Sequence, residues 1–191
     1  MARINYLKGQ LKPGSVYRRT ELAKWSKSVD RHLDELLTDG TLQKLSQGLY
    51  YVPKQSKFGV VPPDETILVQ SFLNDDRFLL TSNNVYNSLG LGTTQLYNEQ
   101  TVYNHKRHGK FKLGNRTFNF KLKPHFPKKL TKEFLVVDLV NNLKELAEDP
   151  ATLLKNLRMK VPEMDRKKLR QSVAAYGNVK TRKILDPLLQ A

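Results

Sequence analysis

The sequence has no cysteine, a single tryptophan and no long apolar run. The absence of cysteine excludes disulfide bonds, thiolate metal sites and cysteine nucleophiles. No segment approaches the roughly 20 consecutive apolar residues that a membrane-spanning helix needs, and no basic-then-apolar leader opens the chain. We therefore expect a soluble protein that stays in the compartment where it is made.

Acidic residues are also scarce. The 191 residues include 33 Lys and Arg but only 18 Asp and Glu, so the formal net charge is +15 and the pI is near 9.9. Such a balance predicts affinity for polyanions. With 39% hydrophobic residues, the chain has enough apolar material for one small and one larger domain.

The basic residues are unevenly distributed. Residues 1–60 hold 11 Lys or Arg against 5 acids, and residues 61–100 hold 1 against 5. Residues 101–135 hold 10 against 1, and residues 136–191 hold 11 against 7. Basic blocks on either side of an acidic one indicate two separate surfaces for anionic or acidic partners, although excess lysine also serves solubility alone.

Motifs for catalysis are missing from the chain. None of the histidines is spaced with carboxylates as a metal site requires; they are His32, His105, His108 and His125. Neither a nucleophile elbow nor a phosphate-loop lysine motif occurs. We therefore expect no enzymatic activity, no metal and no cofactor.

The segment from Thr20 to Pro53 predicts two helices followed by a β-hairpin. Thr20 suits the cap of a short helix, Glu21–Trp25, and Ser26 or Ser28 suits the cap of a second helix that runs to about Asp39. Apolar residues recur at helical period in the second helix: Val29, Leu33, Leu36 and Leu37. Gly40 then suits the end of that helix. The hairpin pairs 41–45 with 49–52, and a strand at 15–17 is able to join it.

Two helices followed by a hairpin are the order that a winged helix-turn-helix needs, so we place such a domain at residues 1–55. On the polar face of the second helix, Lys27, Ser28 and Arg31 are the candidates for reading base edges. The candidates for holding the DNA backbone are Arg18, Arg19, Lys44 and Gln47. The alternative is a small helical subdomain whose polar face is only solvated.

The rest of the chain is predicted to form a larger second domain, residues 56–191, after a short linker at 54–63. Its first part, 56–129, is expected to be mixed α/β, with a helix that starts at Pro62–Glu65 and buries Ile67, Leu68, Phe72 and Leu73. Its second part, 130–191, is expected to be a helical bundle. The fold class is therefore α+β.

A hairpin over Lys110–Lys123 is the strongest β pattern in the sequence. Gly114-Asn115 suits a two-residue turn, which sets Phe111 opposite Phe118 and puts Leu113, Phe120 and Leu122 on the same face. The other face is a ladder of lysines: Lys110, Lys112, Lys121 and Lys123. Such a ladder either meets an anionic partner or only prevents edge-to-edge aggregation.

Basic side chains also project from one of the later helices, namely Arg166, Lys167, Lys168 and Arg170. They are more often a solvated face than a binding surface.

Several segments together resemble one family, the AbiE-type (abortive infection E) antitoxins of bacterial toxin–antitoxin systems. The resemblance is carried by DGTLQKLSQGLYYVP near the N-terminal hairpin, SKFGVVPP, LTSNNVYNSLGLGTTQLYN, RTFNFKLKP and LRQSVAAYGNVKTRKILDPLL. These segments cover most of the chain. The C-terminal part is shorter than the family pattern.

The resemblance implies a cytoplasmic bacterial antitoxin whose winged helix represses its own operon by binding double-stranded operator DNA, with two copies on an inverted repeat. It also implies that the second domain antagonises a nucleotidyltransferase-like toxin or acts on its RNA substrate. For the antitoxin surface we select the lysine ladder together with Arg166, Lys167 and Arg170. The alternative is a plain transcriptional repressor whose second domain dimerises or binds a ligand.

Overall fold

The computed structural model describes residues 2–190 and is a mixed α+β protein. It has eight α-helices in the described range: α1 Ala2–Gln10, α2 Arg19–Leu22, α3 Val29–Thr38, α4 Glu65–Leu73, α5 Lys132–Asn142, α6 Pro150–Lys160, α7 Arg166–Tyr176 and α8 Val179–Gln190. It has nine strands there: β1 Val16–Arg18, β2 Gln43–Ser46, β3 Leu49–Tyr51, β4 Lys54–Ser56, β5 Gly59–Val61, β6 Phe78–Thr81, β7 Gln100–Asn104, β8 Gly109–Leu113 and β9 Arg116–Leu122.

The chain divides into two compact units. The first contains residues 1–78 and 106–120, and the second contains 79–105 and 121–191. This division differs from the predicted boundary at residues 54–63. The β8–β9 hairpin belongs with the N-terminal segment because the amide of Gly114 donates to the carbonyl of Leu45 at 2.8 Å.

The N-terminal part of the first unit packs three helices on a small sheet of order β1-β3-β2. β1 and β2 both pair antiparallel with β3, which confirms the predicted hairpin and the predicted extra strand. The helical stripe of α3 is inward as expected, with Val29, Leu33 and Leu36 buried against Leu42 and Tyr50. In α1, Leu7 is buried and Tyr6 is exposed.

An irregularity in β2 connects this sheet to the second hairpin. The register of β2 against β3 shifts between Lys44 and Ser46, so Leu45 bulges out of the ladder. Its carbonyl is thereby free to accept from Gly114, which has φ 65° at the β8–β9 turn. A Cβ on Gly114 would lie 3.1 Å from the side chain of Leu45, so the close approach also favours glycine.

The remaining elements of the first unit are α4 and two hairpins. α4 begins as predicted, with Asp64 accepting from the amide of Ile67 at 3.0 Å. Its buried residues are Leu68, Val69 and Leu73, whereas Ile67 is exposed, because the inward stripe lies one position later than expected. β4 and β5 pair where a linker was predicted.

The β8–β9 hairpin has the predicted register, with Phe111 opposite Phe118 around the Gly114-Asn115 turn. Leu113, Phe118 and Phe120 are buried. Leu122 is exposed, contrary to expectation. The first residue of β8, Gly109, pairs with Phe120, so Leu122 lies beyond the last pair of the hairpin.

The second unit is mostly helical after residue 130, as predicted. Its core surrounds α5, in which every residue from Phe134 to Val140 is buried, and includes buried residues of α6, α7 and α8. A 3₁₀ helix at Asn83–Leu89 contributes Tyr86 to this core. A four-stranded sheet has the order β6-β7-β9-β8, and β7 and most of β6 belong to this unit.

Among residues 2–190 there is no helix with both the length and the apolar character needed to cross a bilayer.

Candidate nucleic-acid interface

The predicted DNA-reading residues lie on the solvent side of α3 and the turn before it. Because Val29, Leu33 and Leu36 bury the opposite face, Lys27, Ser28 and Arg31 are exposed. The Arg31 side chain makes two long contacts, with Nε 3.7 Å from Glu35 Oε1 and Nη2 3.5 Å from His32 Nε2. An exposed pair of this kind is worth a few tenths of a kcal/mol at most, about 0.3–0.5, so Arg31 is easily redirected to another partner.

The turn before α3 is fixed by a buried pair of side chains. Ser26 Oγ lies 2.7 Å from Nδ1 of His32 and accepts from the amide of Ser28 at 3.2 Å. Ser28 occupies the N-cap position, but its hydroxyl makes no capping bond, so the expected side-chain cap is not formed. The anchoring falls to Ser26 instead, which leaves the Ser28 hydroxyl on the exposed face.

Arg19 joins the hairpin turn to the first turn of α3. Its backbone amide donates to Gly48 of the β2–β3 turn at 2.9 Å. Its guanidinium donates to both carboxylate oxygens of Asp30, at 2.7 and 2.6 Å. These hydrogen bonds lower the pKa of Asp30 and raise that of Arg19. Arg19 therefore braces the turn against α3, and its predicted contact with a DNA phosphate would compete with the bond to Asp30.

Arg18 is also committed within its own unit. Its Nη1 donates to the carbonyls of Ser71 at 2.9 Å and Phe72 at 3.4 Å, in the last turn of α4. Those carbonyls have no partner within the helix and carry its negative end, so a guanidinium satisfies both needs. The predicted contact of Arg18 with the DNA backbone stays a prediction and would require these hydrogen bonds to be exchanged. The partner lies more than 50 positions away, and no local pattern indicates it.

Lys44 and Gln47 place exposed polar groups on the hairpin beside α3. Lys44 pairs across the ladder with Tyr50, whose pKa is raised first by burial and then by the negative charge of Asp30. Lys44 itself is exposed on β2. Gln47 is exposed in the two-residue turn before Leu49. Together with Lys27, Ser28 and Arg31, these residues form what we call the α3–hairpin face.

The predicted lysine ladder is only half present. Lys110 and Lys112 are exposed on β8. Lys121 instead lies 2.5 Å from Glu145, and Lys123 lies 3.3 Å from Asp138 and 4.1 Å from the centre of the Tyr103 ring. That all four lysines face a partner stays a prediction; in this structure acids from the helical part of the chain already contact Lys121 and Lys123.

The contact of Lys123 belongs to a buried polar network that sequence reasoning missed. Asp138 is 0% exposed and accepts from the hydroxyls of Tyr86 at 2.8 Å and Tyr103 at 2.8 and 2.9 Å. Asn142 donates to both hydroxyls at 3.1 Å. Burial, followed by the charge of Asp138, raises the pKa of both tyrosines. The available signal was Asp138 and Asn142 at helical spacing within an otherwise apolar helix.

The basic residues of α7 are exposed, although two have partners. Lys168 pairs with Asp165 at 3.3 Å, and Arg170 donates to the carbonyl of Leu189 in α8 at 2.9 Å. Arg166 and Lys167 lie on the exposed face without taking part in the core. Within residues 2–190, no three His, Asp or Glu side chains are grouped so as to hold a metal ion.

The sequence matches the model of one protein family. A family model described as a family of unknown function, DUF6088, matches residues 7–173. The chain belongs to the DUF6088 family. No curated protein matches its sequence.

A solved structure with a similar fold is that of the RV2827C protein from Mycobacterium tuberculosis. The superposition has a TM-score of 0.58 and covers 99% of this chain and 75% of that chain, at 16% sequence identity. At this identity the similarity concerns the fold alone.

Proposed function

We propose that residues 1–55 of this DUF6088 protein form a winged helix-turn-helix that binds double-stranded DNA, and that the protein is a transcriptional regulator. The observation that carries the proposal is the pair of contacts made by Arg19, with Gly48 in the β2–β3 turn and with Asp30 in α3, which we call the Arg19 brace. It holds the β2–β3 turn and the first turn of α3 together through one residue, at 2.9 Å on one side and 2.6–2.7 Å on the other. A helix and a hairpin fixed in this way present one continuous polar face.

The element order supports the same proposal. α1, β1, α2, α3, β2 and β3 follow one another along the chain, and β1 joins the hairpin as the third strand of the sheet. In a helix-turn-helix the second helix enters the major groove with its N-terminal residues at the base edges. Lys27, Ser28 and Arg31 occupy that end of α3. In this arrangement Lys44 and Gln47 contact the DNA backbone from the hairpin.

Binding assays with the DNA upstream of the gene and with a scrambled duplex test the proposal. We expect Arg31→Ala to weaken binding to the specific site by about 1–3 kcal/mol and to relax sequence preference, as for loss of an arginine–guanine pair. Lys44→Ala should weaken both duplexes alike and reduce the salt dependence by about one charge. Arg158→Ala, which removes an exposed charge from α6, is the matched control and should change neither.

Equal losses on both duplexes for Arg31→Ala would remove its base-reading role. Unchanged binding for both Arg31→Ala and Lys44→Ala would overturn the proposed face.

Two copies are expected on each operator, because one such domain reads few bases and helix-turn-helix proteins match symmetric half-sites. Light scattering of the DNA complex is the direct measurement. A mass of one protein per operator would contradict this part of the proposal.

A second candidate function is antagonism of a nucleotidyltransferase-like toxin, which rests on the sequence resemblance to AbiE-type antitoxins. Lys112, Arg166 and Lys167 are exposed cations, and an acidic protein or an RNA could bind them, which supports this second function. Lys121, Lys123 and Arg170 are left out because of their internal partners.

Co-expression with the product of the neighbouring gene tests this second function. We expect the wild-type protein to restore growth and a Lys112→Glu, Arg166→Glu, Lys167→Glu variant to fail while still binding DNA. A fragment that starts near Lys57 would not isolate the second unit, because residues 56–78 and 106–120 belong to the first unit. A protein that binds the operator but never restores growth is a plain repressor.

A further inference from the structure

The β4–β5 hairpin carries a fully exposed aromatic residue. Lys54, Gln55 and Ser56 pair with Val61, Val60 and Gly59, so Lys57 and Phe58 form the two-residue turn. Phe58 is 101% exposed and Val60 is 47% exposed. All residues of β4 are exposed as well. The hairpin therefore projects from the first unit with a phenyl ring at its tip.

The tip is an ordered turn rather than a loose connection. Ser56 Oγ donates to the carbonyl of Gly59 at 2.9 Å and accepts from the amide of Phe58 at 3.2 Å. At the base, the hydroxyl of Tyr51 in β3 donates to the carbonyl of Val61 at 2.5 Å. The hairpin is thus anchored to the same sheet that contains β2 and β3, and Ser56 sets the direction of Phe58.

The charge around the ring indicates an anionic partner. No acidic residue occurs from Gly40 to Pro63, whereas Lys44, Lys54 and Lys57 all lie in this stretch and are exposed. A second copy docking symmetrically, hairpin against hairpin, would bring lysines against lysines, which costs energy. A nucleic acid offers phosphates to the lysines and stacked bases to the ring.

The length of the chain limits the distance between this tip and the α3–hairpin face. Gly48 and Phe58 are ten residues apart, so their Cα atoms are separated by at most about 35 Å. One turn of B-DNA is also about 34–36 Å long. The two tips are therefore no farther apart than about one helical turn of a duplex.

We propose that the β4–β5 hairpin is a second DNA contact, in which Phe58 enters the minor groove and wedges between two base pairs while Lys54 and Lys57 contact the flanking phosphates. Apolar wedges of this kind unstack a base step and kink the duplex, and steps such as TA yield most easily. The inference rests on the proposed DNA binding and adds a second point of contact to it.

Fluorescence of 2-aminopurine tests the wedge in the full-length protein. The probe is a 30-base-pair duplex from upstream of the gene, with 2-aminopurine placed at successive TA or CA steps. We expect wild type at saturation to raise the fluorescence at one step at least twofold. Phe58→Ala should abolish the rise, and Phe58→Leu should retain most of it because leucine also serves as a wedge. Lys57→Ala should keep the rise but reduce the salt dependence by about one charge.

The outcomes separate this inference from the proposed function. The wedge is overturned if Phe58→Ala binds the duplex and raises the 2-aminopurine fluorescence as wild type does. It is also overturned if wild type binds the duplex and the fluorescence rises at no step. In both cases the proposed DNA binding stands. If no duplex is bound at all, both fail. If Phe58→Ala instead lowers the mass of the free protein in light scattering, the ring contacts a second copy, which also overturns the wedge. Because Phe58 has no buried contacts, its replacement leaves the fold intact.

Discussion

Two of the hairpins of this protein, β4–β5 and β8–β9, differ in what surrounds their side chains. Both combine lysines with a phenylalanine, although only β8–β9 alternates lysines with apolar residues. In β8–β9 the rings of Phe111 and Phe120 pack against Phe72 in α4, at centroid distances of 5.2 and 5.1 Å. In β4–β5 the single ring, Phe58, contacts solvent.

Their lysines differ in the same way. Lys121 and Lys123 at the end of β9 meet Glu145 and Asp138, whereas no acidic residue lies near Lys57 in the sequence. An alternating pattern therefore predicts the faces of a hairpin but not what covers them. The elements that pack against each face of a hairpin are distant from it in sequence.

The comparison is tested most strongly by removing one phenylalanine from each hairpin. Phe118→Ala deletes a 0% exposed ring and should lower the free energy of unfolding by about 3–5 kcal/mol. Phe58→Ala deletes an exposed ring and should change it by less than about 0.5 kcal/mol. Urea denaturation of both variants measures the difference. Similar losses would mean that Phe58 is packed in solution.

Removing one lysine from each hairpin should have the next largest effect. Lys123→Met leaves the buried carboxylate of Asp138 without its cation, which should cost about 1–3 kcal/mol of unfolding free energy. The tyrosine hydrogen bonds to Asp138 limit the loss. Lys57→Met is the matched control and should be nearly neutral. If Lys123→Met were equally neutral, the network would not depend on its charge.

Local patterns accounted for most of the elements of this fold. The stripe of α3, the turn at Gly114-Asn115 and the helices after residue 130 follow from periodicity and turn chemistry. Predictions were less accurate where a side chain finds a distant partner. Arg18 with Ser71 and Lys123 with Asp138 are such cases, since hydrogen bonds across 53 and 15 positions leave no periodic signal.

For the candidate site, exposure was predictable and pairing was not. The stripe of α3 fixes which side chains face solvent, so Lys27, Ser28 and Arg31 are on the expected side. Nothing in that stripe indicates that Arg19 binds Asp30. The unit boundary was missed for the same reason, because the link from Leu45 to Gly114 joins distant segments.

A smaller effect is expected at the pair of Lys121 and Glu145. Lys121 lies 2.5 Å from Glu145, whose side chain is 52% exposed. Glu145→Gln should therefore cost less than about 1 kcal/mol at low salt and nothing measurable near 1 M salt, because solvent and ions screen the pair. Denaturation at the two salt concentrations measures this. A loss that persists at high salt would place Lys121 in the same class as Lys123.

The smallest effect is a pH dependence at Lys8 and Asp39, which lie 2.7 Å apart and join α1 to the end of α3. The hydrogen bond from Lys8, assisted by Thr41, lowers the pKa of Asp39 from 3.8 to about 2. Because the folded pKa lies below the ordinary one, the contribution of this carboxylate to stability is complete above about pH 4 and is lost as the pH falls towards 2. The difference in unfolding free energy between wild type and Asp39→Asn should therefore shrink across that window and stay constant from pH 5 to 7. A difference that is constant from pH 2 to 5 would mean that Lys8 and Asp39 do not pair in solution, and that Lys8 is as free as Lys57.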